Sequence, residues 1–309
     1  MRLFLGVDGG KSSTTAILGD EAGRVLGRGT GGPCNHVAEH EGRAKLERAV
    51  RESVGAACLE AGLDFETVRF AAACFGMSGG PEDKRAILEA LLRAERLIVT
   101  TDAEIALSGA VEAGRGIIVI AGTGSIALGR REPGKLVRVG GWGYIYGDEG
   151  SAFDIVRQAA RAALRMEEGW GPATALRQAL IEATSSRDSN DMLHRFYTLE
   201  WPRDRVAALA PLVDEAANAA DPVAVEILNA AAHHLATQAA SVRAQLWAAE
   251  EPVDVAYSGG VFASGRLLER FRLLIELESG NRCSPSKHTA AEGALREAYR
   301  CAGLEFPER

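Results

Sequence analysis

The feature that most constrains the fold is a strand grammar that occurs twice. Residues 3–8, Leu-Phe-Leu-Gly-Val-Asp, form an apolar run that ends in an acid and a Gly-rich turn. A second run covers 14–18, and the turn Asp20-Glu21-Ala22-Gly23 leads to a third at 24–29. More than a hundred residues later the apolar run 116–121 ends in Gly122-Thr123-Gly124-Ser125. Runs at 126–129 and 135–139, joined by Glu132-Pro133-Gly134, complete a second triple. Apolar runs separated by short Gly-containing turns read as strands and hairpins. The same order at one long period indicates a duplicated unit, and two unrelated meanders are the alternative.

After each triple the pattern becomes helical. Leu46, Ala49, Val50, Val54 and Ala57 give 41–61 one apolar helical face. A strand at 68–75, a helix begun by Pro81, a strand at 97–101 and a helix at 103–113 follow. In the second half a helix begins near Ser151, and a break falls at 170–172. Asp221-Pro222 then gives an N-cap and first-turn signal for a long helix over 223–247. Leu228, Ala231, Leu235, Ala239, Val242 and Leu246 are its buried stripe. A strand at 253–257 ends in Ser258-Gly259-Gly260, and a last helix covers 290–302. No Pro-, Gly- or Ser-rich linker divides the halves, so the boundary is expected near 114–116, with two packed α/β lobes and a cleft between them.

The composition excludes several functions. Among 309 residues the net charge is −7, and no Lys/Arg-rich block supplies the basic patch that nucleic acid requires. Cys34, Cys58, Cys74, Cys283 and Cys301 are odd in number and scattered without a C-x-x-C pair. That pattern argues against a disulfide scaffold or a zinc ribbon. No signal peptide or membrane span is expected, and the protein is read as cytoplasmic. His233-His234 are adjacent on one helix and do not share a face, which argues against a metal pair.

Four strand ends carry chemistry: Asp8-Gly9-Gly10-Lys11-Ser12-Ser13-Thr14, Thr100-Thr101-Asp102, Gly122-Thr123-Gly124-Ser125 and Ser258-Gly259-Gly260. Ligands of open α/β sheets bind beyond the carboxyl ends of strands. Glycine there lets backbone N–H groups approach phosphate oxygens, and Ser/Thr hydroxyls add donors. The first turn is not a Walker A loop, because Lys11 stands where the second Gly belongs. Asp102 fits two roles, general base for an attacking hydroxyl or N-cap of the helix after it. Asp8 fits a turn cap or a Mg²⁺ site reached through water. Gly140-Gly141-Trp142-Gly143 followed by Gly147-Asp148-Glu149-Gly150-Ser151 reads as a ligand loop with an indole for a sugar ring. Asp148 fits either a sugar hydroxyl or the first turn of the next helix.

These motifs resemble the actin/hexokinase superfamily, and within it the N-acetylglucosamine kinase and BadF-BadG-BcrA-BcrD-type ATPase family. Residues 8–14 look like its first phosphate motif, 122–125 its second, and Ser258-Gly259-Gly260-Val261 its adenosine motif. The 140–143 and 147–151 segments are similar to the sugar-side signature of N-acetylglucosamine kinases. The resemblance implies a two-lobed actin-like (ribonuclease H-like) α/β fold of duplicated βββαβαβα units around a central cleft. One lobe would be 1–115, completed by a C-terminal helix at 290–309, and the other 116–289.

It further implies an ATP- and Mg²⁺-dependent kinase acting on an amino sugar, N-acetylglucosamine or glucosamine, with C6 as the expected acceptor and a homodimer as the expected assembly. Asp102 would be the base. Asn35, Thr123, Gly141, Trp142, Gly143 and Asp148 would line the sugar. Gly9, Gly10, Lys11, Ser12, Thr123, Gly124, Ala217, Gly259 and Gly260 would hold ATP, and Asp8 would serve the metal. One departure is Ile126, where animal N-acetylglucosamine kinases have Asn; the 122–130 run looks more like bacterial members. The alternatives are N-acetylmuramate kinase and the ATPase activator of a CoA-dehydratase. An activator's iron–sulfur cluster needs cysteine thiolates, and no Cys lies between Cys74 and Cys283. A sugar-responsive repressor would need a helix-turn-helix domain, for which a motif starting at residue 8 is read as leaving no room.

Overall fold

The computed structural model describes residues 1–10, 12–34, 42–79, 81–132, 134–304 and 306. The chain divides into two compact units, Met1–Arg115 with Ser286–Arg309, and Gly116–Pro285. Among the described residues no helix is long and apolar enough to cross a membrane.

The first unit runs β1 (Leu3–Gly9), β2 (Thr14–Asp20), β3 (Val25–Gly31), α1 (Gly42–Glu60), β4 (Ala72–Met77), α2 (Arg85–Leu91), β5 (Leu97–Thr101) and α3 (Asp102–Ala110). Its sheet has the order β3-β2-β1-β4-β5, with β1–β2 and β2–β3 antiparallel and β1–β4 and β4–β5 parallel. Period-two alternation splits β1 between two cores. Leu3, Leu5 and Val7 pack with Leu46, Val50 and Val54 of α1, whereas Phe4 joins Ile105 of α3 and Leu295 and Tyr299 of the final helix, Ala290–Cys301. Both faces are covered, which is why β1 is apolar nearly throughout.

The second unit runs β6 (Gly116–Ala121), β7 (Ser125–Glu132), β8 (Lys135–Gly140), α4 (Ala152–Glu167), α5 (Leu176–Thr184), α6 (Ser189–Phe196), α7 (Arg203–Ala207), α8 (Ala210–Asn218), α9 (Pro222–Leu246), β9 (Val253–Ser258), α10 (Gly265–Glu276) and β10 (Asn281–Pro285). Its sheet order β8-β7-β6-β9-β10 repeats the first with the same pairing senses. The fold is therefore a duplicated α/β unit of the actin-like kind. The Asp221 carboxylate caps α9, accepting the N–H of Val223 and of Ala224, each at 3.0 Å, ahead of Pro222 in the first turn. The expected stripe of α9 is buried.

Several boundaries differ from the sequence reading. The strand expected from Val68 begins at Ala72, because the chain before it makes only an isolated bridge, Phe70 to Ala94. The helix expected from Pro81 begins at Arg85; residues 81–84 form a turn closed by Lys84 N–H to Pro81 C=O at 3.1 Å. The helix after β5 ends at Ala110 and gives way to a 3₁₀ turn at Glu112–Gly114.

Candidate active site

In the first unit the carboxyl ends of three neighbouring strands are in register: Gly9 pairs with Met77, and Met77 with Thr101. This places Asp8, near the end of β1, and Asp102, just beyond β5, at the same carboxyl end of the sheet two strand spacings apart, roughly 10 Å from backbone to backbone across the strands. The turn after β1 is closed by Gly10 N–H to Ser13 C=O at 2.9 Å, leaving Ser12 exposed. Burial, aided by the negative charge of Asp102, pushes the Asp8 carboxyl from 3.8 up to about 6.

Asp102 is the first residue of α3 but does not cap it. The cap is Thr101, whose hydroxyl accepts the Glu104 N–H at 3.3 Å. Asp102 is exposed, and its Oδ1 accepts the adjacent Ala103 N–H at 2.9 Å. Among the described residues its Oδ2 carries no hydrogen bond, so one oxygen is free to accept a proton. The capping role weighed for Asp102 thus belongs to its neighbour, since an N-cap side chain must reach the N2 or N3 amide from a non-helical residue.

In the second unit the 122–125 turn is bound to the sugar-side segment. Gly141 N–H donates to Ser125 C=O at 3.0 Å, and Ala152 N–H donates to Gly122 C=O at 2.9 Å. The Ser125 hydroxyl donates to Glu149 C=O at 2.7 Å. Asp148 is 4 % exposed and sits at φ +62°. Its Oδ1 accepts the Ser125 N–H at 3.2 Å, and its Oδ2 accepts from the Arg203 guanidinium. The same Arg203 nitrogen donates to Thr123 C=O at 3.1 Å. A Cβ on Gly124 would lie 2.7 Å from that nitrogen and 2.9 Å from Asp148 Oδ2, so any larger residue there would have to displace this ion pair. Asp148 thus spends both oxygens holding the turn.

Trp142 is 67 % exposed, with the Arg138 guanidinium 4.6 Å from its ring centre. Gly140, Gly141 and Gly143 beside it all run at positive φ. Gly259, at φ +110°, and Gly260 follow β9, whose end pairs with β6 through Ser258 and Ile120. A cavity of about 580 Å³ joins the two glycine turns, lined by Gly122, Thr123, Asp214, Gly260 and Val261 among others. Its size is ordinary for a nucleotide-sized ligand.

Ala217 requires a correction. It is fully buried in the core of this unit, and it is Ala210, Pro211 and Asp214 of α8 that line the cavity. Ala217 follows Val213 and Ala216 on the buried stripe of α8. Lys11 and Asn35 lie outside the described residues. Arg203 was missed by sequence reasoning, because an arginine at the start of a five-residue helix belongs to no motif. Asp214, whose carboxylate accepts from the Ser264 hydroxyl, was missed for the same reason.

Known proteins resemble this chain over most of its length. The chain is 33% identical over 286 residues to the N-acetylmuramic acid/N-acetylglucosamine kinase of Clostridium acetobutylicum, covering 90% of this chain and 91% of that one. It is 31% identical over 279 residues to the N-acetyl-D-glucosamine kinase of Dictyostelium discoideum, covering 84% and 85%. The crystal structure of a candidate N-acetylglucosamine kinase from Chromobacterium violaceum matches with a TM-score of 0.75 at 28% identity, covering 96% of this chain and 98% of that one. The family model of the BadF/BadG/BcrA/BcrD ATPases matches residues 5–298, and the chain belongs to that family.

Proposed function

We propose that this protein transfers the γ-phosphate of ATP to a hydroxyl of an amino sugar, N-acetylglucosamine or glucosamine, at C6, with Asp102 as general base. The chain is an ATP-dependent sugar kinase, supported by its kinase relatives and by the duplicated fold. The observation that carries the finer reading is Asp102 itself, an exposed carboxylate at a strand end whose capping duty is done by Thr101.

The sugar hydroxyl attacks the γ-phosphorus. As the new O–P bond forms, its proton passes to the free oxygen of Asp102, and the bond from the γ-phosphorus to the β,γ-bridging oxygen breaks, releasing ADP. Little covalent work falls to the protein, so positioning and charge dominate. Gly9, Gly10, Lys11, Ser12, Thr123, Gly124, Gly259 and Gly260 are the proposed ATP contacts. Asn35, Thr123, Gly141, Trp142 and Gly143 are the proposed sugar contacts, with Asp148 holding the Thr123 turn.

Mg²⁺ suits Asp8. A half-buried carboxyl raised by burial and by a second acid gains from a neighbouring cation. No group of three or more acidic, His or Cys residues forms a metal cage among the described residues. That suits Mg²⁺, which takes one or two carboxylates beside substrate phosphates and water. When bound, the ion offsets the charge of the phosphate oxygens.

A coupled ADP-release assay over glucosamine, N-acetylglucosamine, N-acetylmuramate, N-acetylmannosamine and glucose tests the reading. An amino sugar should exceed glucose at least tenfold in kcat/KM, which needs only about 1.4 kcal/mol of differential transition-state binding. Equal or faster use of glucose would refute the amino-sugar assignment.

A further inference from the structure

A second cavity of the Gly116–Pro285 unit, about 650 Å³, takes no part in the chemistry above. Its walls are apolar and aromatic, with Phe153, Phe196 and Trp201 among them. Three arginines, Arg157, Arg161 and Arg203, line it, and no carboxylate does among the described residues.

The charges are not all spent. Arg157 donates to Tyr144 C=O at 2.8 Å and to Asp154 at 2.7 Å, and Arg203 holds the Thr123 turn, yet the Nε of each is buried without a partner. Arg161 is exposed and makes no hydrogen bond or ion pair among the described residues. The rim adds Tyr197 at 84 % and Leu199 at 99 % exposure, an apolar surface of the kind that marks a binding site. The volume falls within the usual range for small-molecule pockets.

We propose that this cavity binds a carboxylate carried on an apolar arm, the arm against Phe196 and Trp201 and the carboxylate on Arg161. Guanidinium matches carboxylate geometry and desolvates readily, which suits an acid of this kind better than a neutral ligand. Two sources supply such a group: a free organic acid, or an acid side arm on the sugar substrate. The free-acid source stands independently of the kinase reading, whereas the sugar-borne source rests on it.

Titration calorimetry on the full chain, with 3-phenylpropionate and its neutral counterpart 3-phenylpropanol as probes, tests it. The acid should bind at least tenfold more tightly than the alcohol. Arg161→Gln should weaken the acid at least fivefold and leave the alcohol unchanged, and Arg161→Lys should recover part of the loss. The second arm uses N-acetylmuramate, whose lactyl ether carries the same charge, against N-acetylglucosamine. If Arg161→Gln weakens only the former, the sugar supplies the acid; if it weakens only phenylpropionate, a free acid does. Binding of both acids that is absent, or indifferent to Arg161→Gln in a variant with wild-type circular dichroism, overturns the proposal.

Discussion

Arg203 and Asp148 close on each other over the 122–125 turn: one guanidinium nitrogen serves both the Asp148 carboxylate and the Thr123 carbonyl, while the other carboxylate oxygen takes the Ser125 amide. The Asp148 side chain is 5 % exposed and that of Arg203 26 %. Removing one partner of a buried pair costs about 3–5 kcal/mol because the other charge is stranded, and the partial exposure of Arg203 places this case at the lower end or below. Arg203→Ala should therefore lower stability by about 2–3 kcal/mol in urea denaturation and raise KM for ATP. Asp148→Asn should cost less, since Asn accepts the same amide and tolerates a left-handed backbone. Arg203→Ala with unchanged denaturation and unchanged KM would show that the pair does not hold the turn.

Gly124→Ala tests the same clamp from the other side. The added methyl would meet Arg203 and Asp148 at 2.7 and 2.9 Å and force them apart. Overpacking of this kind costs about 1–3 kcal/mol. In Gly124→Ala/Arg203→Ala the colliding guanidinium is gone, so the double variant should lose less stability than the sum of the two single losses. Strict additivity would mean that the glycine and the arginine act separately.

Asp8 makes stability depend on pH in a defined direction. Burial and the Asp102 charge raise its carboxyl to about 6, against 3.8 for the ordinary group. Between these values the folded chain holds a proton that the unfolded chain has lost, so this stabilising contribution is full at low pH and is lost as pH rises through about 6. Asp8→Asn should remove that part. From pH 4.5 to 7 the urea midpoint of the wild type should fall relative to that of Asp8→Asn, with ligand absent. Parallel curves would show that the Asp8 carboxyl is not raised. Asp102→Asn should weaken the effect, because it removes the second, Coulombic cause.

The fold was legible where the sequence is locally consistent. Apolar runs with Gly turns sit at the same place in both halves, and the shared strand order follows from them. Asp221-Pro222 located the N-cap of α9, whose helix covers Pro222–Leu246 against the expected 223–247, because cap and first-turn chemistry are local. The segment between α4 and α9 was not legible: four short helices there owe their positions to packing around Trp201, Leu176 and Val213, which no short period announces. The site divides in the same way. Glycines and acids at strand ends can be read from order alone, whereas Arg203 and Asp214 reach the turns by tertiary placement. Even at Asp102 the sequence left base and cap open, because Thr101 and Asp102 are both good caps, and only the hydrogen bond to Glu104 separates them.

That separation makes the last prediction a comparison of neighbours. Thr101→Ala removes the hydroxyl that caps α3 and should cost about 1 kcal/mol of stability, the usual loss for an N-cap. Its kcat should change by no more than a few-fold. Asp102→Asn keeps the side-chain size and can still accept the Ala103 amide through its carbonyl oxygen. It loses a favourable charge at the helix N-terminus, worth about 0.3–1 kcal/mol, but also relieves the repulsion felt by Asp8, so its melting temperature should stay close to wild type. What the amide cannot do is take a proton from a sugar hydroxyl. Its kcat should therefore fall by ~10²–10⁴, the range for losing a general base, while calorimetric Kd values for sugar and ATP change far less. Turnover and melting temperature then move in opposite variants: stability in Thr101→Ala, rate in Asp102→Asn. An Asp102→Asn enzyme that keeps more than about a tenth of wild-type kcat lies outside the range expected for base removal and leaves another group to accept the proton.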